Sequence, residues 1–213
     1  MQPLRLILLS GWGIDQRIWQ PLEAHWPTNL TAQAVEWPGY GGTTPLAANA
    51  TLEELPDAMA EPLASDAIWV GWSLGGLLAT ALLAYLPPPR GLILLGAGDT
   101  FCAKDKVSAT GGVTSAELSA FQRAFQRDPT ATWQHFLRWQ TQGEPSPRQA
   151  HRQLRDLLGD TPPADSLTLA TGLHWLSTID NRPRLAASPC PVVRLTGEHD
   201  PFISPAQHHV SKS

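Results

Sequence analysis

Cysteine is scarce in this chain: its 213 residues include two, Cys102 and Cys190. Two thiols are too few for a disulfide framework and have no metal-ligand spacing, so they read as reduced, packed side chains. Long apolar runs are missing too, none approaching the roughly 20 residues that span a bilayer. The N-terminal MQPLRLILLSGWG holds an apolar stretch shorter than a signal-peptide core, with no small-residue cleavage site after it, so a cytoplasmic protein is expected. An excess of positive charge is also lacking; the formal net charge of -4 argues against nucleic acid as the main partner. No internal repeat or low-complexity segment is present. Charged residues are only 16% of the chain and hydrophobic ones 42%, too apolar for a disordered chain. The length suits one globular domain with room for an inserted lobe.

What is there is a series of short apolar runs punctuated by glycine and proline. Leu4 to Leu9, Leu30 to Val35, Ala67 to Trp72, Gly91 to Leu95 and Pro191 to Thr196 read as strands buried in a sheet. Helical patterns alternate with them, at Ile14 to Ala24 and Leu74 to Leu86, and Thr51 with Glu54 forms a capping box. That alternation predicts an α/β protein with a parallel, doubly wound sheet. Between about Lys104 and Ile179 the strand signal fades. Phe121 and Phe125, then Trp133, Phe136, Leu137 and Gln140, recur at helical spacing and predict about four helices there. The division expected is a first part of the core over 1–103, a helical cap over 104–179 and a second, incomplete part of the core over 180–213. The stretch 115–158 carries six arginines against four acids, so this lobe is relatively basic.

Catalytic groups of a parallel sheet collect at the carboxyl ends of its strands, and three loops qualify. Val70 to Gly76, VGWSLGG, places Ser73 between two glycines at the junction of strand and helix. A G-x-S-x-G turn of this kind exposes a serine hydroxyl as a nucleophile, because larger residues at the glycines would strike the crossing backbone. SGWG after the first strand and TGEHD after the last supply the other parts that ester hydrolysis needs. The backbone N–H groups of Leu74 and Trp12 are oxyanion donors, and Asp200 is the acid that orients a base. Asp200 has a simpler alternative role as the cap of a helix starting near Pro201.

Together SGWG, GWSLGG and GEHDPFIS resemble the α/β-hydrolase superfamily. WVGWSLGGLLA, FCAKD and HFLRWQTQG (His135 to Gly143) carry a closer resemblance to the pimeloyl-[acyl-carrier protein] methyl ester esterases of biotin biosynthesis, and the likeness runs through nearly the whole chain. The resemblance implies an α/β-hydrolase fold with a helical cap insertion, Ser73 as nucleophile and Asp200 as acid, with Trp12 and Leu74 at the oxyanion and substrate site. It implies that Phe136, Leu137, Arg138, Trp139 and Gln140 contact the acyl chain, Phe136, Leu137 and Trp139 presenting an apolar wall; packing of the cap onto the sheet is the other reading of these aromatics. The implied partner is an acyl carrier protein bearing a pimeloyl methyl ester, with no cofactor, no metal and no membrane, and the protein itself is expected to be a monomer. Arg148, Arg152 and Arg155, at i, i+4 and i+7, form one helical face that suits an acidic carrier protein, or an ordinary solvated face.

Two departures from the family stand out. Ser10 replaces the usual His before Gly-Trp-Gly, which is expected to loosen that loop. The catalytic His should follow Asp200 after one more helix and strand, yet Asp200 stands thirteen residues before Ser213. His25, His135, His151 and His174 lie in predicted helices or turns, and His199, His208 and His209 are the remaining candidates. The chain thus reads as an esterase cut short at its C-terminal end. The competing readings are a noncatalytic binding protein of the same fold lacking the triad His, and a broad esterase or thioesterase.

Overall fold

The computed structural model describes residues 3–47, 50–103 and 112–203. Five strands, β1 (Leu4–Leu9), β2 (Leu30–Val35), β3 (Ile68–Trp72), β4 (Gly91–Leu95) and β7 (Val192–Leu195), form one sheet in the order β2-β1-β3-β4-β7 with every pair parallel. The expected parallel α/β sheet is borne out, and β1, β2 and β4 have the predicted limits. A second, two-stranded sheet pairs β5 (Cys102–Ala103) with β6 (Val113–Thr114), a feature the sequence pattern does not disclose because each strand has two residues.

The central strands β1, β3 and β4 are buried on both faces, as continuous hydrophobic runs require, whereas β2 and β7, at the edges among the described residues, alternate with exposed residues. Along β1, Leu6 and Leu8 pack with Trp19 and Val70 on one face, while Ile7 and Leu9 join the larger core on the other with Leu74, Leu77 and Leu78. Trp19 comes from a 3-10 helix, Gln16–His25, whose Asp15 cap accepts from the Arg17 N–H. Pro21 inside that segment removes a backbone donor, a physical reason for the tighter winding where a regular helix was expected. The capping box of Thr51 and Glu54 forms as predicted, ahead of α1 (Leu55–Met59). The helix α2 (Leu74–Leu82) is buried at every residue, which its Ala- and Leu-rich sequence permits.

Four helices lie between β6 and β7: α3 (Ser115–Arg127), α4 (Pro129–Gln140), α5 (Pro147–Leu158) and α6 (Ser166–Thr178), followed by the short α7 (Arg182–Ala186). Their starts are written in the sequence. Thr114 and Glu117 make a capping box for α3, while Asp128 and Asp165 cap α4 and α6 by accepting from the N–H groups of Ala131 and Thr168. Among the described residues β7 is an edge strand, and its Val193 and Leu195 side chains are half exposed. No described helix is long and apolar enough to cross a membrane.

Candidate active site

Ser73 sits between β3 and α2 with φ 53° and ψ −120°, the one non-glycine residue with positive φ among the described residues. Its neighbours impose that geometry. A Cβ on Gly71 would lie 2.5 Å from the Gly76 Cα, and one on Gly75 would lie 2.4 Å from the Leu9 carbonyl oxygen. The chain can reverse this sharply, and press α2 against the end of β1, only where both side chains are absent. The Ser73 N–H donates to the Leu95 carbonyl at 2.9 Å, which fixes the turn to β4.

The loop after β1 lies directly against this serine. A Cβ on Gly11 would stand 3.1 Å from the Ser73 Cβ and 3.6 Å from its Oγ, so the backbone of Gly11 and Trp12 passes beside the hydroxyl. Within the loop, the N–H groups of Gly13 and Ile14 are taken, by the Tyr40 hydroxyl at 3.1 Å and the Gly11 carbonyl at 3.3 Å. The Trp12 N–H donates to no described residue, and Leu74, as first residue of α2, has an N–H with no acceptor in its own helix. Ser10 does not loosen this loop. Its hydroxyl donates to the Asp15 carbonyl at 3.2 Å and accepts from the Trp19 indole at 2.9 Å, while its carbonyl accepts from the Trp37 indole at 2.9 Å. The expectation fails because a buried hydroxyl is both donor and acceptor and can join two partners.

Asp200 lies in the loop after β7. Its Oδ1 accepts from the N–H groups of Phe202 at 2.8 Å and Ile203 at 3.1 Å, so the capping role is filled by one oxygen. Its Oδ2 is turned toward Gly96 at the end of β4, and the groove beside it is lined by Trp72, Leu95, Gly96 and Thr196. The other carboxylate at these strand ends, Asp99, is held by Arg194 at 2.5 Å.

Phe136 and Trp139 of α4 line an apolar cavity of about 20 Å³ with Trp12, Phe121, Phe101 and Phe202. The Trp12 ring is met edge-on by Phe136 at 5.0 Å and by Phe121 and Phe125 at 5.6 Å each, and Trp139 meets Phe202 at 4.8 Å. Leu137 does not join this wall. It is buried in the main core, because residues one position apart on a helix point about 100° apart while 136 and 139 share a face. Arg138 faces solvent, and Gln140 is half-buried with its amide nitrogen without a partner among the described residues. Arg148 and Arg152 are exposed on α5 along an open groove, whereas Arg155 is engaged by Asp160, two residues beyond the end of the helix, and so is not free for a partner as expected.

His25 lies in the 3-10 helix, His135 on α4 against Trp139, His151 on α5 and His174 on α6. Burial and the neighbouring Arg138 and Arg155 guanidinium groups hold the His151 pKa below its ordinary value. His199 is exposed, with its backbone packed on Gly143. His208 and His209 lie outside the described residues. Among the described residues no cluster of three or more His, Cys, Asp or Glu could hold a metal ion. Sequence reasoning missed Gly96, Phe101 and Tyr40 at the site. Phe101 and Phe202 stood inside the quoted FCAKD and GEHDPFIS but were given no role, Phe202 being an aromatic next to the candidate acid.

A strained serine at a strand-to-helix turn, flanked by a glycine loop, on a parallel sheet whose last strand end carries a carboxylate, marks a hydrolase of the α/β class. The chain belongs to the alpha/beta hydrolase family, whose profile matches residues 6–212, and by family it is a carboxylic ester hydrolase. Its curated relatives include the pimeloyl-[acyl-carrier protein] methyl ester esterase of Shewanella sp. (strain MR-7), 34% identical over 199 residues that are 93% of this chain and 74% of that protein. The protein of the same name from Vibrio vulnificus (strain CMCP6) is 33% identical over 199 residues, 93% of this chain and 76% of its own length. Among solved structures, an esterase from Exiguobacterium antarcticum superposes with TM-score 0.78 at 18% identity, covering 96% of this chain and 77% of that one. The enol-lactonase of Burkholderia xenovorans LB400 gives 0.74 at 20% identity, covering 97% and 77%.

Proposed function

We propose that this chain is a serine esterase of biotin biosynthesis that hydrolyses the methyl ester of a pimeloyl group carried on acyl carrier protein, in the cytoplasm. The observation that carries the reading is the strained conformation of Ser73 beside the Gly11–Trp12 backbone, joined to the names of the relatives. A non-glycine residue held there costs about 1–3 kcal/mol, a cost that a merely structural turn would avoid by using glycine.

In this reading Ser73 Oγ attacks the ester carbonyl carbon and its proton passes to a histidine. The developing oxyanion accepts from the N–H groups of Trp12 and Leu74. Methanol leaves with the proton, and water then attacks the acyl-enzyme to release the free carboxylate, still attached to the carrier. Asp200 Oδ2, the oxygen not used in capping, orients the histidine and stabilises its charged form. The four helical histidines are set aside for this role by their positions, leaving His199, His208 and His209 as candidates within the given sequence.

The acyl chain lies along Phe136 and Trp139, with the helices over 104–179 acting as the cap. The carrier protein docks on the basic face of Arg148 and Arg152. The test is hydrolysis of carrier-bound pimeloyl methyl ester followed by mass spectrometry, with labelling by a fluorophosphonate. Loss of both in Ser73→Ala supports the reading, and labelling that survives the substitution overturns it. Binding of the carrier-borne ester without cleavage identifies instead the noncatalytic binding protein.

A further inference from the structure

Four of the nine tryptophans place an indole N–H bond on the short loop 10–15 or send one from it. Trp19 donates to the Ser10 hydroxyl and Trp37 to the Ser10 carbonyl. Trp12 Nε1 donates outward to the Leu169 carbonyl of α6 at 2.7 Å. Trp133 of α4 donates inward, its Nε1 reaching the Gly13 carbonyl at 2.7 Å across 120 residues of sequence. Trp133 is wholly buried, and its ring lies so close that a Cβ on Gly13, at φ 65°, would stand 2.8 Å from its Cδ1. The Tyr40 hydroxyl accepts from the Gly13 N–H at 3.1 Å. Both peptide units that meet at Gly13 are therefore fixed, one by α4 and one by the loop after β2.

We infer that Trp133 is a positioning residue: through the Gly13 carbonyl it holds the Trp12 N–H beside the Ser73 hydroxyl. The same helix carries Phe136 and Trp139, so one rigid element sets both the apolar cavity and the loop that faces the serine. Preorganised donors are effective only when held in place, and a displacement of about 1 Å lowers turnover by about a hundredfold. The role of the Trp12 N–H rests on the proposed esterase reading; the clamping of the loop does not.

The experiment compares Trp133→Phe with Trp69→Phe. The second removes an indole bond of the same kind, to the Ala64 carbonyl at 3.0 Å, remote from the site. Trp133→Phe is expected to raise amide hydrogen exchange in residues 10–15 and to lower kcat on a p-nitrophenyl ester by about tenfold or more, with KM within about twofold. Trp69→Phe is expected to leave both unchanged. Tyr40→Phe, which removes only the acceptor of the Gly13 N–H, is expected to show the same split and serves if Trp133→Phe does not fold. Unchanged loop exchange, or equal kcat losses in the Trp133 and Trp69 variants, overturns the inference. If the unsubstituted chain turns over no ester but the exchange contrast appears, the esterase reading fails and the clamp stands.

Discussion

Gly96 leaves the space that Asp200 occupies: a Cβ at residue 96 would lie 2.9 Å from the Asp200 Oδ2, the carboxylate oxygen not used in capping. Gly96 also has φ 51°, so the end of β4 is shaped for the acid both by what it lacks and by how it turns. Gly96→Ala is expected to displace the carboxylate and to lower kcat on a p-nitrophenyl ester by about tenfold to a hundredfold. It should also cost about 1–2 kcal/mol of stability through the left-handed backbone. Steady-state kinetics beside thermal unfolding checks this, and a stability loss with unchanged kcat would remove the acid role from Asp200.

Strain at Ser73 gives a prediction in which stability and activity part. Ser73→Gly removes both the nucleophile and the Cβ from a backbone at φ 53° and ψ −120°. Of the roughly 1–3 kcal/mol stored there, enough should be released to raise Tm by several degrees while activity vanishes. Ser73→Ala should lose activity without the rise in Tm. Calorimetry of the two variants decides the matter, and equal Tm values would show that the elbow is not strained.

Charge on α5 should matter only to a large acidic partner. Reversal of Arg148 and Arg152 to Glu is expected to raise KM for carrier-bound substrate about tenfold, with the effect shrinking at high salt, and to leave a small soluble ester unaffected. Arg155→Gln should do less, because Asp160 already engages that guanidinium. The same KM change for both substrates would place the effect in the site and not in docking.

Acid should weaken the start of α3. The Thr114 N–H and hydroxyl hold the Glu117 carboxyl below the ordinary carboxylate range. A group lowered in the folded state contributes stability above its unfolded pKa, and that contribution is lost as pH falls through the folded one. Glu117→Gln should therefore lower Tm at pH 7 and converge with the unsubstituted protein as pH drops below about 4. A Tm gap that stays constant down to that pH would mean the capping box carries no charge-dependent stability.

The strands, the elbow and the acid loop were legible in the sequence because each rests on local constraints. A buried parallel strand must be a nearly continuous apolar run, so β1 and β4 show their limits directly. A strand that turns sharply into a helix must have glycine on both sides of the turning residue, so VGWSLGG marks Ser73 wherever it occurs on a sheet. Capping boxes depend on residues three apart, and both predicted and unpredicted ones are plain in the chain at Thr51 and Thr114. Tertiary structure decided what depends on partners far apart in the chain. It separated Phe136 and Trp139, which face the cavity, from Leu137, which faces the core, and it gave Arg155 to Asp160. It also made Ser10 a joint between Trp19 and Asp15, and brought Trp133 to Gly13 across 120 residues. A tryptophan reads in sequence as bulk for the core, since nothing local says where its one N–H will find an oxygen. That is fixed only when packing sets the helix against the loop.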